Sequence, residues 1–119
     1  MPKYLISFDR GWMTFPEEEI SDVAAAGRAV VQESVDAGAF VFGGGIADDA
    51  TTTLVTVDGT VTDGPYPETK EQIGGFLVLD LPTEEDALRW AARVAVACRC
   101  SQEVREIMPD PHVDAWLGA

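Results

Sequence analysis

The stretch Gly74-Gly75-Phe76-Leu77-Val78-Leu79-Asp80-Leu81 runs directly into Pro82-Thr83-Glu84-Glu85-Asp86. Its centre, Phe76-Leu77-Val78-Leu79, is apolar without a break, which reads as a strand covered by neighbours and central in its sheet. Immediately after Pro82, Thr83 and Asp86 form a capping-box pattern, where a hydroxyl and a carboxylate three residues apart satisfy the first free amides of a helix. The apolar positions Ala87, Leu88, Ala91, Val94 and Ala95 then follow at helical spacing, with the end of the helix near Cys98.

Upstream, Tyr4-Leu5-Ile6-Ser7-Phe8 is rich in β-formers and stops at Asp9-Arg10-Gly11, so it predicts a first strand. Between residues 17 and 37, Ile20, Val23, Ala24, Gly27, Val30, Val31 and Val35 make one helical stripe. Pro16 and Glu17-Glu18-Glu19 suit the start of that helix and its dipole, and Gly38 suits a left-handed cap. A second strand is expected at 39–42, broken by Gly43-Gly44-Gly45, a run that would also let a ligand approach the backbone. Leu54-Val55-Thr56-Val57 and Thr60-Val61-Thr62 flank Asp58-Gly59, predicting a hairpin closed by a two-residue turn. A last strand is expected over 102–107, with Val104 and Ile107 as its apolar residues, after which Pro109 and Pro111 close regular structure.

The order is β-α-β, hairpin, β-α-β. It predicts an α+β domain over 1–108 with a tail at 109–119, in which two helices cover one face of an antiparallel sheet, as in ferredoxin-like folds. The other face stays uncovered and would expose Leu77 and Leu79, or their neighbours. In a chain of only 119 residues this favours self-association as a homodimer.

Eight Lys and Arg against 21 Asp and Glu give a formal charge of −13, the wrong sign for tracking nucleic acid or an anionic membrane surface. The N-terminus enters a strand rather than a signal-peptide core, and no long apolar run follows, so a cytoplasmic protein is expected. Cys98 and Cys100 are too few and too close for a disulfide framework or a four-ligand zinc site, and read as free thiols. No phosphate-cradling loop is present. His112 with Asp110 and Asp114 makes a poor metal set, so neither a metal nor another cofactor is expected.

The segment Asp63-Gly64-Pro65-Tyr66-Pro67-Glu68-Thr69-Lys70-Glu71-Gln72-Ile73-Gly74-Gly75-Phe76 resembles the signature of the DGPF group of the YCII-related family. That signature reads Asp-Gly-Pro-Phe, then a Glu-x-Lys-Glu run and a Gly-Gly-Phe strand start; here Tyr66 replaces the usual Phe. The hairpin and the helix through Trp90, Ala91 and Ala92 also fit the family layout. The resemblance implies a dimeric α+β barrel in which two ferredoxin-like units face their sheets together. Some YCII-like proteins resemble enzymes with a His and Asp pair in the pocket, related in fold to small isomerases and dehydrochlorinases. This chain departs from them, because its one histidine, His112, lies in the tail.

Acid–base chemistry would therefore fall to Asp63, Tyr66 and Lys70, with Glu68, Glu71 and Arg105 as ligand-binding groups: an acid, a phenol and an amine in one short segment suit proton transfer or anion recognition. The same residues also make a plain turn, with Asp63 bonding the Gly64-Pro65 backbone and Lys70 pairing with Glu68 or Glu71. Arg99 suits a helix C-terminus, and Trp12, Trp90 and Trp116 suit packing or an interface. Two readings stay open at this point. One is a small-molecule enzyme of isomerase or lyase type acting in the barrel pocket. The other is a non-catalytic ligand-binding or regulatory accessory module, of the kind linked to sigma-factor systems in this family.

Overall fold

The computed structural model describes residues 1–47, 52–63 and 72–117. The chain forms β1 (Lys3–Asp9), α1 (Ile20–Asp36), β2 (Phe40–Gly45), β3 (Thr53–Val55), β4 (Val61–Asp63), β5 (Ile73–Asp80), α2 (Glu84–Cys98), β6 (Glu103–Glu106) and α3 (Pro111–Trp116). Four strands make one sheet in the order β2-β5-β1-β6, with every neighbouring pair antiparallel. The apolar run of β5 thus sits between two partners, as its composition predicts. Strands β3 and β4 form a separate two-stranded ladder.

Side chains alternate between the faces of a strand, and the register of β1 on β5 sorts them. Tyr4 lies opposite Leu79 and Ile6 opposite Leu77; these four are buried, and with Leu81, Ala87, Ala91 and Val94 they form the core beneath the helices. On the other face Leu5 lies opposite Val78 and Ser7 opposite Phe76, and the ring of Phe42 rests 5.8 Å from that of Phe76. Leu77 and Leu79, offered from sequence for the uncovered face, are instead on the helix side. Their neighbours Phe76 and Val78 occupy the uncovered one, because the strand alternates.

Local chemistry sets the helix ends. Gly38 adopts φ +73, its N–H donating to Val35 O at 3.0 Å while Ala39 N–H donates to Ser34 O at 2.9 Å; this is the paired closure that a left-handed cap allows. Thr83 Oγ1 accepts from Asp86 N–H at 3.2 Å at the start of α2. At the far end Arg99 takes the left-handed conformation, φ 57, without being glycine, and its guanidinium donates to Glu19 Oε1 at 2.5 Å. The side chain expected to serve the C-terminus of α2 therefore also ties it to the start of α1.

Three local expectations change. The glycine run does not break β2: Gly43, Gly44 and Gly45 pair with Leu77, Phe76 and Gly75, since ladder hydrogen bonds need no side chain. The hairpin closes through three residues, not two. Gly59 N–H donates to Thr56 O and Thr56 N–H to Thr60 O, each at 2.9 Å, and Gly59, unlike Asp58, has positive φ. An Asp-Gly pair closes a two-residue turn only with both residues at positive φ; here a type I turn is followed by a left-handed glycine. Finally, Pro109 and Pro111 do not end regular structure, because Pro111 occupies the first turn of α3, where its missing N–H costs nothing. Asp110 caps α3, accepting from His112 N–H at 3.0 Å. No helix among the described residues is long and apolar enough to cross a membrane.

Candidate functional site

The apolar stripe of α1 does not lie flush on the sheet. Between α1 and the helix-side face of β1, β2 and β5 is a cavity of about 940 Å³, bounded on the helix by Ile20, Val23, Ala24, Gly27 and Val31. Ile6, Phe8 and Phe40 bound it on the sheet, together with the glycines of β2 and β5. Small residues on both sides account for the gap. A methyl group at Gly45, which shares the helix-side face with Gly75 and Leu77, would meet only Gly74 O at 3.9 Å, and at Gly27 the nearest atom would be Cys98 Sγ, 3.8 Å away. Side chains are missing where helix and sheet would otherwise interdigitate, and the helix is held off by its neighbours rather than collapsing into the space.

The glycines that open β5 have a different role. A methyl group at Gly74 would stand 2.7 Å from Phe8 Cε2 and 2.9 Å from Arg10 Cα, and one at Gly75 would stand 2.9 Å from the Phe8 ring. Both are absent so that Phe8 can lie against the strand and the chain can pass at Arg10. The passage is pinned: Arg10 N–H donates to Gln72 O at 2.8 Å, and Gln72 N–H donates to Asp9 Oδ2 at 2.9 Å. Since Arg10 and Gly74 both line the cavity, the downstream end of the 63–72 segment is anchored at its edge.

The polar groups of the wall are few: Arg10, Glu17, Arg28, Gln32, Cys98 and Gln102. Arg10 Nη2 donates to Ala47 O at 3.0 Å, and Gln102 Nε2 donates to Cys100 O at 3.3 Å and Cys100 Sγ at 3.4 Å. Burial pushes the Cys98 thiol up. Burial also raises Cys100, reinforced by the nearby Cys98 and opposed by the Gln102 hydrogen bond. Both therefore stay protonated at neutral pH, the unreactive state of a cysteine.

Of the site residues expected from sequence, Tyr66, Glu68, Lys70 and Glu71 lie outside the described residues. Asp63 ends β4, exposed and opposite Thr53. Arg105 lies opposite Leu5 on β1, so it belongs to the uncovered face; there it pairs with Glu103 and borders a smaller hollow of about 330 Å³ with Ser7 and Asp9. Asp63 borders neither hollow and Arg105 only the smaller. Sequence reasoning did not assign Arg10 or Arg28 to a site. The legible signal was the pairing of small residues, Ala24 and Gly27 on the helix stripe against two glycine runs, which marks missing volume between two elements.

Asp110 caps α3, and Asp114 pairs with Lys3 at 3.4 Å. No group of three metal-ligating side chains stands together among the described residues. Comparison with curated proteins finds no match. The family model of the YCII-related domain matches residues 13–110, a span that takes in α1, β2, β3, β4, β5, α2 and β6 but not β1 or α3, and every wall residue of the cavity except Ile6, Phe8 and Arg10. With most of its length matched, the chain belongs to the YCII-related domain family.

Proposed function

We propose that the chain is a small-molecule-binding domain of the DGPF group, holding its ligand in the cavity beneath α1 and working as a homodimer. The observation that carries the binding reading is the cavity itself: about 940 Å³, walled mainly by apolar side chains and glycines with a few polar groups, the usual make-up of a small-ligand site. Asp63-Gly64-Pro65-Tyr66 supports the DGPF assignment. Strands β1 and β2 flanking β5, with α1 between them in sequence, support a ferredoxin-like unit. Face-to-face sheets as in a dimeric α+β barrel are supported by the apolar patch of Leu5, Phe42, Phe76 and Val78. Two free thiols suit a reducing, cytoplasmic setting.

A second reading, an isomerase or lyase, is favoured by one observation: the anchoring of Gln72 beside Asp9 and Arg10 at the cavity edge. Only one residue separates Lys70 from Gln72, so on this reading Lys70, with Tyr66, serves the cavity mouth. One assay tests both. Nile red, an uncharged dye, should bind the wild-type chain with enhanced emission, and Gly27→Leu, which fills the space, should lower its affinity at least about tenfold. Lys70→Met should keep folding within about 1 kcal/mol and leave dye binding intact while abolishing any turnover. A wild-type chain that takes up no dye sinks the binding reading; Lys70→Met that unfolds the chain sinks the enzymatic one.

A further inference from the structure

The distribution of positive charge says what kind of molecule the cavity suits. The chain has eight Lys and Arg in all, of which Lys70 lies outside the described residues. Five of the other seven are held by carboxylates away from the cavity: Lys3 by Asp80 and Asp114, Arg89 by Asp86, Arg93 by Glu33, Arg99 by Glu19 and Arg105 by Glu103. The remaining two, Arg10 and Arg28, both line the cavity. Arg10 is engaged there, donating to Ala47 O. Arg28 forms no ion pair with any described carboxylate, although the chain carries 21 Asp and Glu.

In a chain with a formal charge of −13, an arginine without a described carboxylate partner is unexpected, since acids outnumber bases 21 to 8. On the described wall of the cavity Arg28 brings a positive charge that no described carboxylate pairs, in a molecule that is negative as a whole. The chain's overall field repels anions at long range, and attraction at this wall would be short-ranged, acting only on a molecule already seated. Arginine also offers a planar fork of donors that suits a carboxylate.

Resting on the reading that this cavity is a ligand site, we propose that its ligand is an apolar carboxylate, whose hydrocarbon body lies between α1 and the sheet and whose carboxylate is received by Arg28. Displacement of Nile red from the full chain by decanoate and by decanol tests this, since the two differ in the charged end. Wild type should prefer decanoate by about tenfold, the scale of one charge-assisted hydrogen-bonded contact. Arg28→Gln should bring the two ligands within about twofold by weakening decanoate alone, and Arg28→Lys should retain part of the preference. If decanol competes as well as decanoate in wild type, or if the preference survives Arg28→Gln unchanged, the carboxylate assignment is overturned while the cavity reading stands. If the dye binds but neither ligand displaces it, the carboxylate assignment falls and the cavity reading stands; if the dye does not bind, both fall together.

Discussion

At Gly74 the space for a side chain is already filled, by a ring carbon of Phe8 and the backbone of Arg10. The ring could swing, but the backbone could move only by breaking the Arg10–Gln72 hydrogen bond. Gly74→Ala should therefore cost about 1–3 kcal/mol, as overpacking does. Gly44→Ala, with open space around it, should change stability by no more than about 0.5 kcal/mol. Urea unfolding of the two variants checks this, and equal losses would remove steric crowding as the reason for the Gly-Gly-Phe start of β5. The motif was legible in the sequence; its cause was not, because the obstructing ring comes from β1. Arg28 was equally invisible, since its lack of a described ion-pair partner shows only once the other described cations have been matched with theirs.

Among the elements, those governed by their own residues were legible and those governed by a neighbour were not. The caps at Gly38 and Thr83 are local chemistry, and both stand where the sequence put them. The extension of β2 through three glycines depends on β5 supplying partners, and α3 depends on Asp110 and Pro111 acting together at a helix start rather than as a turn. The hairpin lies between these cases, its existence legible and its loop length not. In that loop the Thr56 hydroxyl and the Thr60 N–H, the latter at 3.0 Å, both donate to the Asp58 carboxylate. The Thr56 contact is the larger cause that holds the Asp58 pKa at about 2 against an ordinary 3.8. Because the folded value is the lower, the contribution of this carboxylate is complete above about pH 4 and is lost as pH falls through about 2. The Thr60 amide proton shift should thus titrate with a midpoint near 2 in the folded chain; a midpoint near 3.8 would mean that the turn does not hold the carboxylate.

For the whole molecule, the uncovered sheet face decides the state of association. Leu5, Phe42, Phe76 and Val78 bring apolar surface there. On it Lys3 pairs with Asp80 and Arg105 with Glu103, and Asp9 accepts from the Gly11 and Gln72 N–H groups, so two such faces could meet despite the −13 on each chain. Sedimentation should give twice the chain mass, and Phe76→Lys, which sets a charge in the apolar patch, should give a folded monomer. A wild-type chain that sediments as a monomer at micromolar concentration would remove the homodimer. The two ladders also differ in how their amides are guarded. β5 is hydrogen-bonded along both edges and backed by the core, whereas the hairpin rests on one short ladder with only Leu54 shielded in part, and a two-stranded ribbon is marginal in water. The chain therefore carries two clocks: in deuterated solvent the hairpin amides should exchange long before those of β5, whose exchange waits for the whole sheet to open.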